Sequence, residues 1–155
     1  SIIDELIYSN RKVGSEFSVM RNFETEEIKN TLSLIFSTDI ADFSAEYSYS
    51  DKRNLSGSEI LFINSFKLGA SGTVLEKNRM SSELILANNN FKGDASTTVA
   101  FSMLQGLQPD LNIVWLINIK RDLARFLQLN VLYSGRYSQN NRVIHTGSIN
   151  LVAYF

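Results

Sequence analysis

The sequence predicts an all-β protein: an antiparallel transmembrane β-barrel of about eight strands, or the C-terminal part of a larger barrel. Apolar residues recur at every second position over runs of about ten residues, the length of a tilted strand that crosses a bilayer. The chain of 155 residues contains ten Phe, six Tyr and one Trp but a single Pro. Aromatic residues that alternate with polar ones favour sheet over helix. We expect one structural region, residues 1–155.

The first part of the chain contains five candidate strands, and the earliest of them is the least regular. Ile2 to Tyr8 is a candidate strand, and Asn10 to Lys29 is predicted to be a charged loop. The clearest alternation follows at Phe43 to Ser50, where aromatic residues and Ala45 alternate with serines and Glu46. Further strands are predicted at residues 32–37, 60–75 and 82–88.

Three more strands are predicted in the last third, at residues 113–120, 127–137 and 147–155. Asp122 to Arg125 is a tight link, and Gln139 to Arg142 is a polar turn. Asp94 to Asn112 is a longer polar segment. Because membrane barrels have short periplasmic turns and longer outer loops, we expect the link at 122–125 to be periplasmic and the segment at 94–112 to lie outside.

The alternation also assigns side chains to two faces. The predicted outward face includes Leu127, Leu129, Val131, Ile149, Leu151 and Ala153. The candidates that face the lumen are Glu46, Lys67, Lys120, Gln128, Asn130, Arg136 and Asn150. Since buried charges need partners, Glu46 is a candidate counter-charge for the basic members of this set. An interior plugged by ion pairs and a selective pore both agree with this composition.

Aromatic side chains are expected to form two belts where the barrel meets the two bilayer interfaces. Phe43 and Phe126 fall at the predicted periplasmic ends of their strands. The other members fall toward the outer ends: Tyr49, Trp115, Tyr133 and Tyr137.

The final segment, VIHTGSINLVAYF, ends in Phe155 and carries Ile149, Leu151 and Ala153 at the preceding alternate positions. This pattern resembles the terminal β-signal of bacterial outer-membrane proteins, and residues 103–155 resemble the C-terminus of large Bacteroidota outer-membrane proteins. The resemblance implies a location in the bacterial outer membrane, contact with its lipid, and recognition by the barrel assembly machinery. It implies a structural, transport or docking role without catalysis, with other outer-membrane subunits as further candidate partners.

Composition argues against several other classes of function. The absence of Cys excludes a disulfide scaffold and a thiolate metal site, and the single His145 leaves no histidine cluster, so neither a metal nor a cofactor is predicted. The net charge of −1 and the lack of a basic block argue against nucleic acid as a partner. No apolar run approaches the roughly 20 residues of a membrane helix.

Two alternatives to the membrane barrel remain open at this level. The first is a soluble β-sandwich or α+β binding module of the cell envelope, for example for glycans. The α+β version would form helices over residues 113–129 and Glu24 to Phe36, where apolar residues also recur at spacings of three and four. The last is a barrel enzyme acting on lipid or peptide, with His145 as its catalytic candidate.

Overall fold

The computed structural model describes residues 1–13, 23–74, 78–139 and 141–154, so the predicted β-signal residue Phe155 lies outside the described residues. Within these ranges, eight strands form one antiparallel sheet in which each strand pairs with its neighbours in the chain. The elements are β1 (Ile2–Val13), β2 (Phe23–Ser37), β3 (Ala41–Asn54), β4 (Ile60–Val74), β5 (Asn78–Lys92), α1 (Thr98–Leu104), β6 (Asp110–Ala124), β7 (Leu127–Ser138) and β8 (Ile144–Ala153). The predicted all-β antiparallel fold with eight strands is confirmed.

The predicted charged loop from Asn10 to Lys29 is wrong throughout its described part, residues 10–13 and 23–29, which is strand. β1 continues to Val13 and β2 begins at Phe23, with these two residues paired. Lys12 and Glu24 are direct cross-strand partners, and their charged groups lie 3.9 Å apart. Opposite charges across a ladder stabilise strand pairing, so the charges that suggested a loop are compatible with two paired strands.

The two helical alternatives are also wrong. Residues 24–36 lie in β2, and residues 113–129 form most of β6, a turn and the start of β7. Long-range pairing decides between the two periodicities here, because helix propensity is a weak prior that tertiary context overrides. The β-branched residues between Ile113 and Ile119 additionally favour a strand.

The longest described connection, residues 93–109 between β5 and β6, contains the helix that the sequence analysis did not predict. Its approach is ordered by Asp94, whose carboxylate accepts hydrogen bonds from the amide and hydroxyl of Ser96; these bonds hold the pKa of Asp94 below its ordinary value. Thr97 caps α1 by accepting a hydrogen bond from the amide of Ala100 at 3.1 Å. Gln105 and Gly106 then adopt left-handed conformations that end the helix.

The connections differ in length at the two ends of the sheet. Counted between the strand bounds, two or three residues join consecutive strands at one end (38–40, 75–77 and 125–126), and five to seventeen residues join them at the other (14–22, 55–59, 93–109 and 139–143). We call these the short-turn end and the loop end. Ala153, the last residue of β8, pairs with Leu127 beside the turn at 125–126. The predicted tight link and the end of the last described strand therefore share the short-turn end.

The strands are strongly staggered across the sheet. A row of direct partners starts at Ile144, at the loop end of β8, and arrives at Ile3, at the short-turn end of β1, by way of Arg136, Val114, Ile85, Lys67, Glu46 and Ser33. Antiparallel hydrogen bonds are perpendicular to the strands. With about 3.3 Å per residue and about 4.8 Å between strands, this offset corresponds to a strand tilt of roughly 45°, similar to the tilt of membrane barrels.

One aromatic contact fixes the packing between β6, β7 and β8. Trp115, Gly135 and His145 are consecutive partners in one row. The indole lies across Gly135, since a Cβ there would meet the Trp115 ring at 2.1 Å. His145 meets Trp115 edge-on with ring centroids 5.9 Å apart, and its Nδ1 lies 2.9 Å from the hydroxyl of Tyr133. A glycine at this position is therefore a packing requirement of the indole.

We expect Gly135→Ala to lower the free energy of unfolding by about 1–3 kcal/mol, because the added methyl group must displace the indole. Gly147→Ala is the control, since its Cβ would meet only the carbonyl of Leu132 at 3.9 Å. Denaturant unfolding followed by the fluorescence of the single Trp would measure both. Equal losses for the two variants would contradict the packing described here.

Candidate functional site on the inner face of the sheet

The strand register places all the predicted lumen residues on one face, which we call the inner face. Glu46 pairs directly with Lys67, and the same row continues to Arg136. Lys120 pairs with Asn130, which pairs with Asn150. Gln128 lies two residues before Asn130 on the same strand and shares its face. The opposite face of the sheet is called the outer face.

The two faces have opposite polarity and opposite exposure. Every buried polar or charged side chain among the described residues lies on the inner face: Thr31, Ser48, Ser50, Lys52, Asn54, Asn89, Asn112 and Ser138. The outer face carries most of the exposed large apolar side chains, including Leu34, Phe36, Phe43, Phe66, Leu84 and Leu151. A water-soluble protein buries its apolar residues and exposes its charged ones. This sheet does the reverse.

Two lysines on the inner face have a carboxylate partner on a neighbouring strand. The ammonium group of Lys67 lies 3.2 Å from a carboxylate oxygen of Glu46, the counter-charge that the sequence suggested. Lys52, whose side chain is 9% exposed, lies 3.4 Å from Glu27. The hydroxyl of Ser50 donates a hydrogen bond of 2.6 Å to the same carboxylate. Because a buried ammonium is costly unless it is paired, these contacts keep charged residues tolerable inside the curved sheet.

An apolar patch interrupts the inner face near the loop end, and α1 covers it. Leu61 of β4 is fully buried against Ala100, Met103 and Leu104 of the helix. Ile63, Phe91 and Val99 pack around this cluster. Burial of several apolar side chains contributes of the order of 1–3 kcal/mol each. The helix is therefore held to the sheet by the same effect that forms a globular core.

A buried polar network anchors the segment that follows the helix. Asn112 accepts a hydrogen bond from the amide of Gln108 at 3.1 Å and donates one to its carbonyl at 2.8 Å. Asn89 donates to the same carbonyl at 3.0 Å, and Ser138 donates to the Asn112 side chain at 2.6 Å. Asn89 and Asn112 are 1% and 0% exposed. β5, β6 and β7 thus hold this segment jointly.

The helix also reveals how strongly the sheet is curved. Gln105 lines a cavity of about 80 Å³ together with Ser9 and Arg11 of β1. The next residue, Gly106, accepts a hydrogen bond of 2.9 Å from the guanidinium of Arg136 on β7. In a flat sheet these two strands would be about 29 Å apart. The sheet therefore curls around α1, with the inner face concave.

The half of the inner face toward the short-turn end has no helix on it and keeps two clefts. One, of about 250 Å³, lies beside Ser44, Gly69 and Glu83. The other, of about 300 Å³, is lined by Asp42, Arg79 and Lys120 together with hydroxyl and amide side chains. Arg79 and Lys120 are direct cross-strand partners. At the loop end α1 covers part of the concave side, and a cavity of about 330 Å³ remains there beside Gln108, Arg136 and Ser138.

The remaining predicted site residues lie on the outer face or at its edge. Of the β-signal residues, Ile149 and Leu151 are 74% and 61% exposed, and Ala153 shares their face. Among the aromatic residues, Phe43 and Phe126 lie near the short-turn end, and Tyr49 and Tyr137 lie nearer the loop end. Trp115 and Tyr133 lie closer to the middle of β6 and β7 than predicted, because these strands extend beyond the segments that the alternation marks.

No metal-binding cluster is found in the described part of the chain. It contains no group of three or more His, Cys, Asp or Glu side chains able to hold a metal ion. His145 contacts Trp115 and Tyr133. No helix among the described residues is both long and apolar enough to cross a membrane. Comparison with family models, curated proteins and solved structures finds no match to this chain.

Sequence reasoning missed the helix and its polar anchor, although both left a signal. Val99, Ala100, Met103 and Leu104 have the spacing of an apolar helix face. Leu61 has the parity of the polar inner residues and so marks a position where the inner face must be covered. Two such observations together could have indicated an element that packs inside the curved sheet.

We expect Asn112→Ala to lower the free energy of unfolding by about 1–3 kcal/mol, because both backbone groups of Gln108 and the hydroxyl of Ser138 lose a buried partner. Asn88→Ala, at an exposed outer-face position of β5, is the control. Hydrogen exchange of the amides in residues 98–108 would report release of the helix. Unchanged protection in the Asn112 variant would show that the network does not anchor it.

Proposed function

We propose that this chain forms part or all of the wall of a β-barrel that spans a bacterial outer membrane. Its role would be structural, transport or docking, without catalysis. The reversed polarity of the two faces carries the proposal. Large apolar side chains such as Phe36, Phe66 and Leu151 are exposed, whereas Lys52 and Asn112 are buried. Exposure of apolar surface to water costs roughly 25 cal/mol per Å², but lipid removes that cost. Lipid is therefore the solvent that suits the outer face.

The geometry of the strands supports the same proposal. The strand tilt of roughly 45° and strand lengths of 10 to 15 residues suit a bilayer. The alternation of short turns with longer loops is the pattern of outer-membrane barrels. By that pattern the short-turn end faces the periplasm, and the loop end, with α1, faces outward.

The final strand supports the outer membrane as the location. Ile149, Leu151 and Ala153 share the exposed outer face, so the side chains that resemble a β-signal are accessible. The barrel assembly machinery would then recognise this edge strand, and outer-membrane lipid would cover the apolar face. Other subunits of the same membrane are candidate partners at surfaces that lipid does not cover.

Within this role, the inner face favours docking or structural support over an open pore. α1 occupies part of the loop end, and ion pairs between neighbouring strands, such as Glu46–Lys67, line the concave side. A soluble sandwich would need a second layer on the outer face. In the described residues that face instead exposes its large apolar side chains, which leaves the soluble alternative without a core of matching size.

Two adjacent residues at the centre of β6 test the assignment of the faces. Ile117 lies on the outer face and Asn118 on the inner face. We expect Ile117→Arg to cost about 2–4 kcal/mol of unfolding free energy in lipid bilayers, because a charge at mid-membrane is costly. Asn118→Arg should cost less, since the cleft of about 300 Å³ beside it offers polar surroundings.

The measurement is reversible urea unfolding in phospholipid vesicles, with the unmodified chain as reference. Extraction of the cell envelope with and without detergent would be done in parallel. Equal costs for the two arginine variants, or a chain that stays monomeric in water without detergent, would refute the membrane-wall proposal.

A further inference from the structure

Resting on the proposed function, we infer that the complete wall contains more than eight strands, and that β1 and β8 are interfaces for additional antiparallel strands. Among the described residues, β1 pairs only with β2, and β8 pairs only with β7. The two edges therefore do not pair with each other, although the sheet curls around α1. The partner that these edges fit is an amphipathic β-strand with apolar outward and polar inward residues.

Unpaired edge strands are energetically unfavourable in lipid. Backbone N–H and C=O groups without partners in the hydrocarbon region cost several kcal/mol each, so membrane sheets close completely. The edge strands are also the most exposed part of the wall: Leu6 is 72% exposed and Ile149 is 74% exposed. Every described residue of β8 is exposed on both faces. Something must pair with these edges in the membrane.

The size of α1 indicates that β1 and β8 do not pair with each other in the complete wall. A ring of eight strands tilted by about 40° is roughly 16 Å across between opposite backbones, and its inward side chains fill it. A helix with its side chains is about 10 Å across. The remaining gap of about 3 Å on each side is too small for lining side chains such as Leu61 and Phe91, which pack on α1. A wider ring accommodates the helix without removing those contacts.

The edges also indicate what the incoming strands must carry. On the outer face of β1, the exposed Leu6 would pack against an apolar side chain of the incoming strand. Asp4 on the same face already accepts a hydrogen bond of 3.1 Å from the side-chain amide of Asn30. On the inner face of β1, Glu5 and Arg11 call for polar partners of opposite charge. At the other edge, Leu151 faces outward and Asn150 inward. Strands with the alternation of β2 to β7 meet these requirements.

Disulfide trapping in the membrane distinguishes the two closures, and the chain has no cysteine of its own. We would pair Leu6→Cys with Gly147→Cys, Ile149→Cys or Leu151→Cys, which bracket the register in which an eight-strand ring would close. Val131→Cys with Ile149→Cys, known partners on β7 and β8, is the positive control. After oxidation in native envelopes, we expect an intrachain disulfide in the control alone.

An efficient intrachain disulfide between β1 and β8 in a membrane-inserted chain would overturn this inference while leaving the proposed function intact. A chain recovered in water without detergent would instead refute the proposed function itself. As a second measurement, a photoreactive side chain at Leu6 should cross-link to a peptide with period-two alternation. Cross-linking confined to β8 would also refute the wider wall.

Discussion

The antiparallel register between neighbouring strands is the constraint on which the rest of this structure depends. Each pair of cross-strand partners brings together residues of one face, such as Glu46 with Lys67 on the inner face and Trp115 with Gly135 on the outer face. Because side chains alternate with period two, a slip of one residue would exchange the faces of a whole strand. The apolar outer surface, the paired charges and the seat of α1 all require the same register.

The alternation in the sequence predicted the strands well where one face is consistently apolar, as in β3 and β7. The register then places Glu46 and Asn130 on the same face of the sheet. The strand residues 10–13 and 23–29 were missed because their alternation is carried by charged residues, so hydropathy gives no contrast there. Only pairing with a neighbour, as between Lys12 and Glu24, reveals these residues as strand.

The helix could not be placed from local pattern alone, for a different physical reason. α1 has seven residues, and a helix this short is not stable without tertiary contacts. Its stability comes from Leu61 on a distant strand and from the bonds between Asn112 and Gln108. Those partners become neighbours only once the sheet has curved. The alternation in the sequence therefore indicates which residues share the inner face, but the position of α1 on that face depends on contacts between distant strands.

The position of α1 at the loop end and the unpaired edge strands β1 and β8 are both consistent with a wall of more than eight strands. A short helix needs apolar support on one side and room on the other, and the curved sheet offers support at Leu61 and Phe91. Arg136 reaches from β7 to the backbone of Gly106, so the helix bridges distant strands of the wall. If the wall closed at eight strands, this bridge would compete with the side chains for space. A wall with further strands, as proposed here, would keep the bridge, pair both edges, and present a continuous apolar surface to the proposed membrane.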